Sequence, residues 1–116
     1  MSLNDVVTFA EHEDVLLGIV NPAQLNDAAT DQLDTDVTAA SNERLKVPVV
    51  LDMSKVKFVP SVALGALANL RKGLNLQGRE LILIGVNRQV RGVLRTTRLD
   101  SLIKVYPTLD DALDAL

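Results

Sequence analysis

The chain has no cysteine, no tryptophan and one histidine, and its aromatic residues are limited to Phe9, Phe58 and Tyr106. Without thiols there is no disulfide framework and no thiol nucleophile, which fits a reducing cytoplasm. His12 alone, with no cysteine beside it, leaves no zinc-type ligand cluster. So few rings offer little on which to stack nucleic-acid bases, so direct nucleic-acid binding is not expected. No apolar run approaches the roughly 20 residues that a membrane span needs, and Met1-Ser2-Leu3-Asn4-Asp5 lacks the basic region and apolar core of a signal peptide. A glycine-rich loop of nucleotide-binding spacing is also missing. The expectation is a soluble cytoplasmic protein with no metal or cofactor.

What is present is aliphatic. With 116 residues and 47% hydrophobic content, the chain is long enough for one core and is read as a single domain over 1–116. The net charge of -3 hides an asymmetry: residues 1–44 carry nine acids against one base, residues 45–116 six acids against eleven bases. A charged face on each side is plausible, and the simpler reading is two ordinary solvated faces.

Residues 6–11 and 15–20 read as two short strands around the polar turn His12-Glu13-Asp14, with His12 an exposed turn residue. Asn21-Pro22 reads as an N-cap followed by proline at the first helical position. Leu25, Ala28, Ala29, Leu33, Val37 and Ala40 then recur at helical spacing over about 20 residues. Val47 to Asp52 is nearly continuously apolar, as expected for a central strand covered on both faces. From Val62 to about Asn75, Ala63, Ala66, Leu67, Leu70 and Leu74 share one helical stripe. Leu64 sits roughly 100° from that stripe's centre and is expected to be exposed.

Leu81 to Val86 is a second two-sided strand. Asn87 caps a helix with Val90, Val93, Leu94 and Thr97 inward and Arg88, Arg91, Arg95 and Arg98 on the other side. Leu102 to Tyr106 is a last strand, and Thr108 opens a terminal helix with an approximate capping box to Asp111. The order β-β-α-β-α-β-α-β-α predicts an α/β fold, a single-layer mixed β-sheet with helices returning across it. In such sheets functional sites gather beyond the C-terminal ends of the strands, where Asp52 to Ser61 fall.

That segment carries the chemistry. An apolar strand ends at Asp52, a short polar link follows, and Ser61 stands where a helix begins, so its hydroxyl meets the positive end of the helix dipole, a favourable place for a phosphate. The plainer reading is that Ser61 only caps the helix. Asp52 and Ser54 equally fit a role in fixing the strand-to-loop turn through side-chain to backbone hydrogen bonds. Nucleophilic catalysis at Ser61 would need a base, and the lone His12 has no sequence partner, so an enzyme is not expected.

The element order, together with Leu51-Asp52-Met53-Ser54 and Phe58-Val59-Pro60-Ser61-Val62-Ala63-Leu64-Gly65, resembles the STAS domain, the sulfate transporter and anti-sigma factor antagonist family. The likeness runs over essentially the whole chain, including Val86-Asn87 through Arg91, Leu94, Leu99 and the closing Leu109 to Leu113. Family members typically read D-x-S, a spacer, then F-[VIM]-D-S-[ST]-G-L-G. Pro60, Val62 and Ala63 stand where that pattern has aspartate, a second hydroxyl and glycine, while Leu64-Gly65 are kept. Pro60 thereby removes a carboxylate and a backbone donor.

The resemblance implies a protein-binding regulatory module, anti-sigma factor antagonist-like, with Ser61 at the position that a serine kinase, itself the anti-sigma factor, modifies. It implies a partner-binding surface drawn from Asp52, Ser54, Pro60, Ser61, Val62, Leu64 and Gly65, and the partner is that kinase or a scaffold. The alternative is a STAS adaptor without phosphoregulation, serving a transport system or a larger signalling assembly.

Overall fold

The structure is a computed structural model and describes residues 5–116. Residues 1–4, most of the segment read above against a signal peptide, lie outside the described residues. In chain order the elements are β1 (Val7–Glu11), β2 (Leu16–Val20), α1 (Asp27–Glu43), β3 (Val49–Asp52), α2 (Ser61–Leu76), β4 (Leu81–Ile84), α3 (Arg88–Thr96), β5 (Lys104–Tyr106) and α4 (Leu109–Asp114), with a short 3-10 turn at Leu99–Ser101 before β5.

The strands form one mixed sheet in the order β1-β2-β3-β4-β5. β1 and β2 are antiparallel, while β2, β3, β4 and β5 run parallel, as expected where a helix separates each later pair. β3 and β4 are the central strands that their two-sided apolar character demands, paired Val49↔Leu81 through Asp52↔Ile84. Alternate residues point to opposite faces. Val49, Leu51, Leu81 and Leu83 enter the large core with Leu33 and Val37 of α1, Leu67 and Leu74 of α2, and Val90 and Leu94 of α3. Val50, Ile82 and Ile84 face the other way, under Ala112, Leu109 and Leu113 of α4. Three helices thus cover one face and a six-residue helix the other. Gly18 allows this packing to close in, since a Cβ there would stand 3.0 Å from both Leu51 Cδ2 and Val7 Cγ2.

Two expectations are corrected. The first helix starts at Asp27, not Pro22; its N-cap is Asn26, whose side chain accepts from the Ala29 N–H at 2.8 Å. Residues 21–25 are held in tertiary bonds that a helix would break. Asn21 Nδ2 donates to the Asp5 carbonyl and to Thr8 Oγ1, both at 2.9 Å, and the Ala23 carbonyl accepts from the N–H groups of Lys57 and Phe58. The buried stripe of α1 is accordingly Thr30, Leu33, Val37 and Ser41, and Ala28 is exposed.

The second correction is Leu64, which is only 9% exposed and belongs to the large core. α2 is the middle of three helices on its face, so it buries a wider arc than a single stripe. The exposed apolar residue at the start of α2 is Val62, at 43%.

Candidate functional site

The site is built on the C-terminal ends of β3 and β4. Asp52 Oδ1 accepts from the Ser54 N–H at 2.9 Å, closing an Asx-type turn directly after β3. The Met53 N–H donates to the Ile84 carbonyl and the Val56 N–H to the Met53 carbonyl. The neighbouring turn after β4 must come close: Gly85 has φ +68, and a Cβ there would lie 3.1 Å from Ser54 Cβ and 3.3 Å from Asp52 Oδ1. Glycine is required at that point both for the left-handed backbone and for space.

The loop from Ser54 to Pro60 is tied down on two sides. On one, Lys55 Nζ donates to Asn21 Oδ1, the Ala23 carbonyl receives two loop N–H groups, and Gln24 and Phe58 form an isolated parallel bridge. On the other, Asn87 Nδ2 donates to the Val56 and Lys57 carbonyls while its Oδ1 caps α3 at the Val90 N–H. Met53, Val56 and Val59 point down into the core and anchor the loop from beneath. The segment that delivers Ser61 is therefore fixed to three elements.

Pro60 occupies the N-cap of α2 and makes no side-chain cap bond, so Ser61 is the first helical residue and its hydroxyl is not the cap. The Pro60 carbonyl accepts from the Ala63 and Leu64 N–H groups. Ser61 and Val62 keep first-turn amides free of acceptors among the described residues, and no acidic residue stands in that turn. Ser61, Val62 and Gly65 are exposed. Of the residues singled out in the sequence, Asp52 and Ser54 form the turn beneath, Pro60, Ser61, Val62 and Gly65 form the surface, and Leu64 lies in the core.

Sequence reasoning missed Phe58, 43% exposed and three residues before Ser61. Its signal was legible, since a large ring in a polar link has no strand or helix stripe to join. Gly85 and Asn21 gave only turn and cap signals, which do not announce a role at a distant loop.

The sequence matches the STAS domain family over residues 8–112. The chain belongs to the STAS domain family. Its mixed sheet and helix arrangement match a crystal structure of an anti-sigma factor antagonist from Mycobacterium paratuberculosis with a TM-score of 0.80 and 27% identity, covering 99% of this chain and 97% of that one. A crystal structure of a Thermotoga maritima protein described as an anti-sigma factor antagonist gives a TM-score of 0.82 with 26% identity, covering 94% of this chain and 92% of that one. A Thermotoga neapolitana protein named for the same activity is 33% identical over 66 residues, 57% of this chain and 58% of the relative. The aligned part thus spans little more than half the length of the curated relatives.

Proposed function

We propose that this chain is an anti-sigma factor antagonist-like STAS module, acting as one domain over 1–116, that binds a protein partner through the start of α2 and is switched by phosphorylation of Ser61. The observation that carries the reading is the exposed Ser61 hydroxyl at the first turn of α2, which is free of any cap bond and has no carboxylate in that turn. A phosphate there adds about -1.5 to -2 charges beside the positive end of a 16-residue helix, so the fold accepts it. A partner packed over Val62 and Gly65 would instead meet a dianion to be desolvated. The switch lies in the interface and needs no refolding of the domain. The partner is a serine kinase with anti-sigma activity or a scaffold, the module works in the cytoplasm, and it catalyses no reaction itself.

The adaptor reading has one observation in its favour: Pro60, with no carboxylate or N–H, stands at the cap where the family pattern has aspartate. The two separate experimentally. Affinity capture with wild type, Ser61→Ala and Ser61→Asp, with mass spectrometry of partners and phosphosites, supplies the partner for calorimetric titration. Ser61→Asp is expected to weaken binding by about 2 kcal/mol or more, well over tenfold, because a charge is desolvated in the interface. Its thermal melt should move by well under ~1 kcal/mol, since an acid at the first turn suits the dipole. Equal affinity of wild type and Ser61→Asp would favour the adaptor.

A further inference from the structure

Between Asp52 and Asp100 the sequence carries nine bases and one acid, Glu80. That acid precedes β4, at the far end of the sheet from Ser61, and is paired there with Lys104 at 3.0 Å. The loop into α2, α2 itself and α3 therefore contribute no carboxylate of their own. At the Ser61 end the exposed bases are Lys55 and Lys57 of the loop and Arg88, the first residue of α3. Loop and helix are held side by side, because Asn87 caps α3 while donating to the Val56 and Lys57 carbonyls. Among the described residues none of these three bases has a carboxylate within ion-pair distance, and Lys55 bonds to the neutral side chain of Asn21. The exposed acids at this end lie to either side of the strip: Asp5 and Asp27 beside β1 and α1, and Asp110 and Asp111 of α4 on the opposite face.

Within the strip two large apolar side chains stay in solvent. Phe58 and Val62, each 43% exposed, stand in the chain on either side of Pro60-Ser61. The Phe58 N–H donates to the Ala23 carbonyl and the residue bridges to Gln24, so the ring is carried on a held backbone and gives up little freedom on contact. A buried aromatic anchor ringed by polar groups is the arrangement that carries most of the energy of a protein interface. What covers this surface must therefore supply apolar contact for the ring and negative charge around it, and an acidic protein surface supplies both.

We propose that the protein partner of this surface presents an apolar recess rimmed by carboxylates, taking Phe58 and Val62 into the recess and setting its acids against Lys55, Lys57 and Arg88. The proposal rests on the reading of the Ser61 segment as the partner-binding surface and adds the chemistry of the partner. It also changes how the switch works. A phosphate on Ser61 adds about -1.5 to -2 charges to a strip that three bases make positive, so it offsets the attraction before contact as well as adding a desolvation cost within it. The bases govern how fast and how selectively the partner arrives, and the ring holds it once docked.

Amide NMR titration of the whole chain at pH 7 tests this with two synthetic amphipathic peptides, one of glutamate and leucine and one with lysine in place of each glutamate. At an ionic strength of about 0.01 M, where the Debye length is about 30 Å, the acidic peptide is expected to shift residues 55–65 and 88, and the basic peptide to leave them unmoved. At about 1 M, where that length is about 3 Å, the acidic peptide should bind about tenfold or more weakly. Lys57→Glu with Arg88→Glu should cost about tenfold or more at low salt. Lys46→Glu with Lys72→Glu makes the same change in net charge away from the strip and should bind as wild type does. Phe58→Ala should weaken binding at both salt concentrations, since apolar contact is not screened, and Ser61→Asp mainly at low salt. Matched thermal melts establish that each variant is folded. Equal binding of the two peptides, shifts confined to residues 91–98, an equal loss after the Lys46 and Lys72 reversal, or a response to phosphatidylserine vesicles but to neither peptide each overturn the proposal. Those outcomes leave the Ser61 reading standing, because partner capture and phosphosite mapping decide it separately.

Discussion

Leu64 and Val62 are two positions apart on α2, yet one is 9% and the other 43% exposed. The helical wheel drawn from sequence placed Leu64 off the core stripe because it assumes that only the sheet covers the helix. The correction comes from α1 and α3 flanking α2, a tertiary fact that periodicity does not contain. The consequence is measurable. Leu64→Ala is expected to cost roughly 2–4 kcal/mol in urea unfolding, by lost burial and a residual cavity. Val62→Ala should stay within about 0.5 kcal/mol, as at other exposed positions. Comparable losses for the two would mean that Val62 is part of the packing and not of the free surface. The residues of the Ser61 segment were legible because a polar link between an apolar strand and an apolar helix leaves few places for a serine. Gly85 and Asn21 were not, because what they contact lies far away in the sequence.

At the level of elements, most of the order was legible, and the misplaced boundary has a clear cause. Asn21-Pro22 carries a strong local start signal, but tertiary hydrogen bonds to Asp5, Thr8, Lys57 and Phe58 hold residues 21–23 and defer the helix to Asn26. The caps at Asn87 and Thr108 had no such competitor and stand where the sequence put them. The C-terminal end of α1 depends on a residue that gave no signal. α1 has no base in its last turn, and Arg79, 4% exposed, supplies one from across the chain.

Its Nη1 donates to the Ser41 carbonyl at 3.1 Å, Nη2 to the Arg44 carbonyl at 2.8 Å and Nε to the Val47 carbonyl at 2.7 Å. One guanidinium thus joins the end of α1, the approach to β3 and the start of β4. Burial pushes its pKa below the ordinary arginine value, with no carboxylate bonded to it in return. Arg79→Met keeps the length of the side chain and removes every donor, leaving three backbone carbonyls to find water. A loss of about 2–4 kcal/mol is expected in chemical denaturation. Arg79→Lys should recover only part of it, since an ammonium cannot fork to three carbonyls. A change below about 0.5 kcal/mol for Arg79→Met would show that solvent replaces these bonds at no cost.

For the molecule as a whole, the two-sided apolar strands made the sheet legible, but not the unequal cover of its faces. α1, α2 and α3 bury an extensive core against Val49, Leu51, Leu81 and Leu83, whereas α4 is six residues long and buries only Ala112 fully. So short a helix has little stability of its own and depends on docking over Val50, Ile82 and Ile84. Its opening exposes a limited apolar area and leaves the large core intact, so it should precede global unfolding. Native-state hydrogen exchange is expected to place the α4 amides at least about 2 kcal/mol below those of β3 and β4, which exchange only through global opening. Thr108, whose hydroxyl accepts from the Asp111 N–H at 3.2 Å, holds the first turn, so Thr108→Ala should widen the gap by about 1 kcal/mol without moving the β3 and β4 amides. Exchange of α4 at the same free energy as β3 would mean that the two faces unfold as one unit and that the small helix is an integral part of the core.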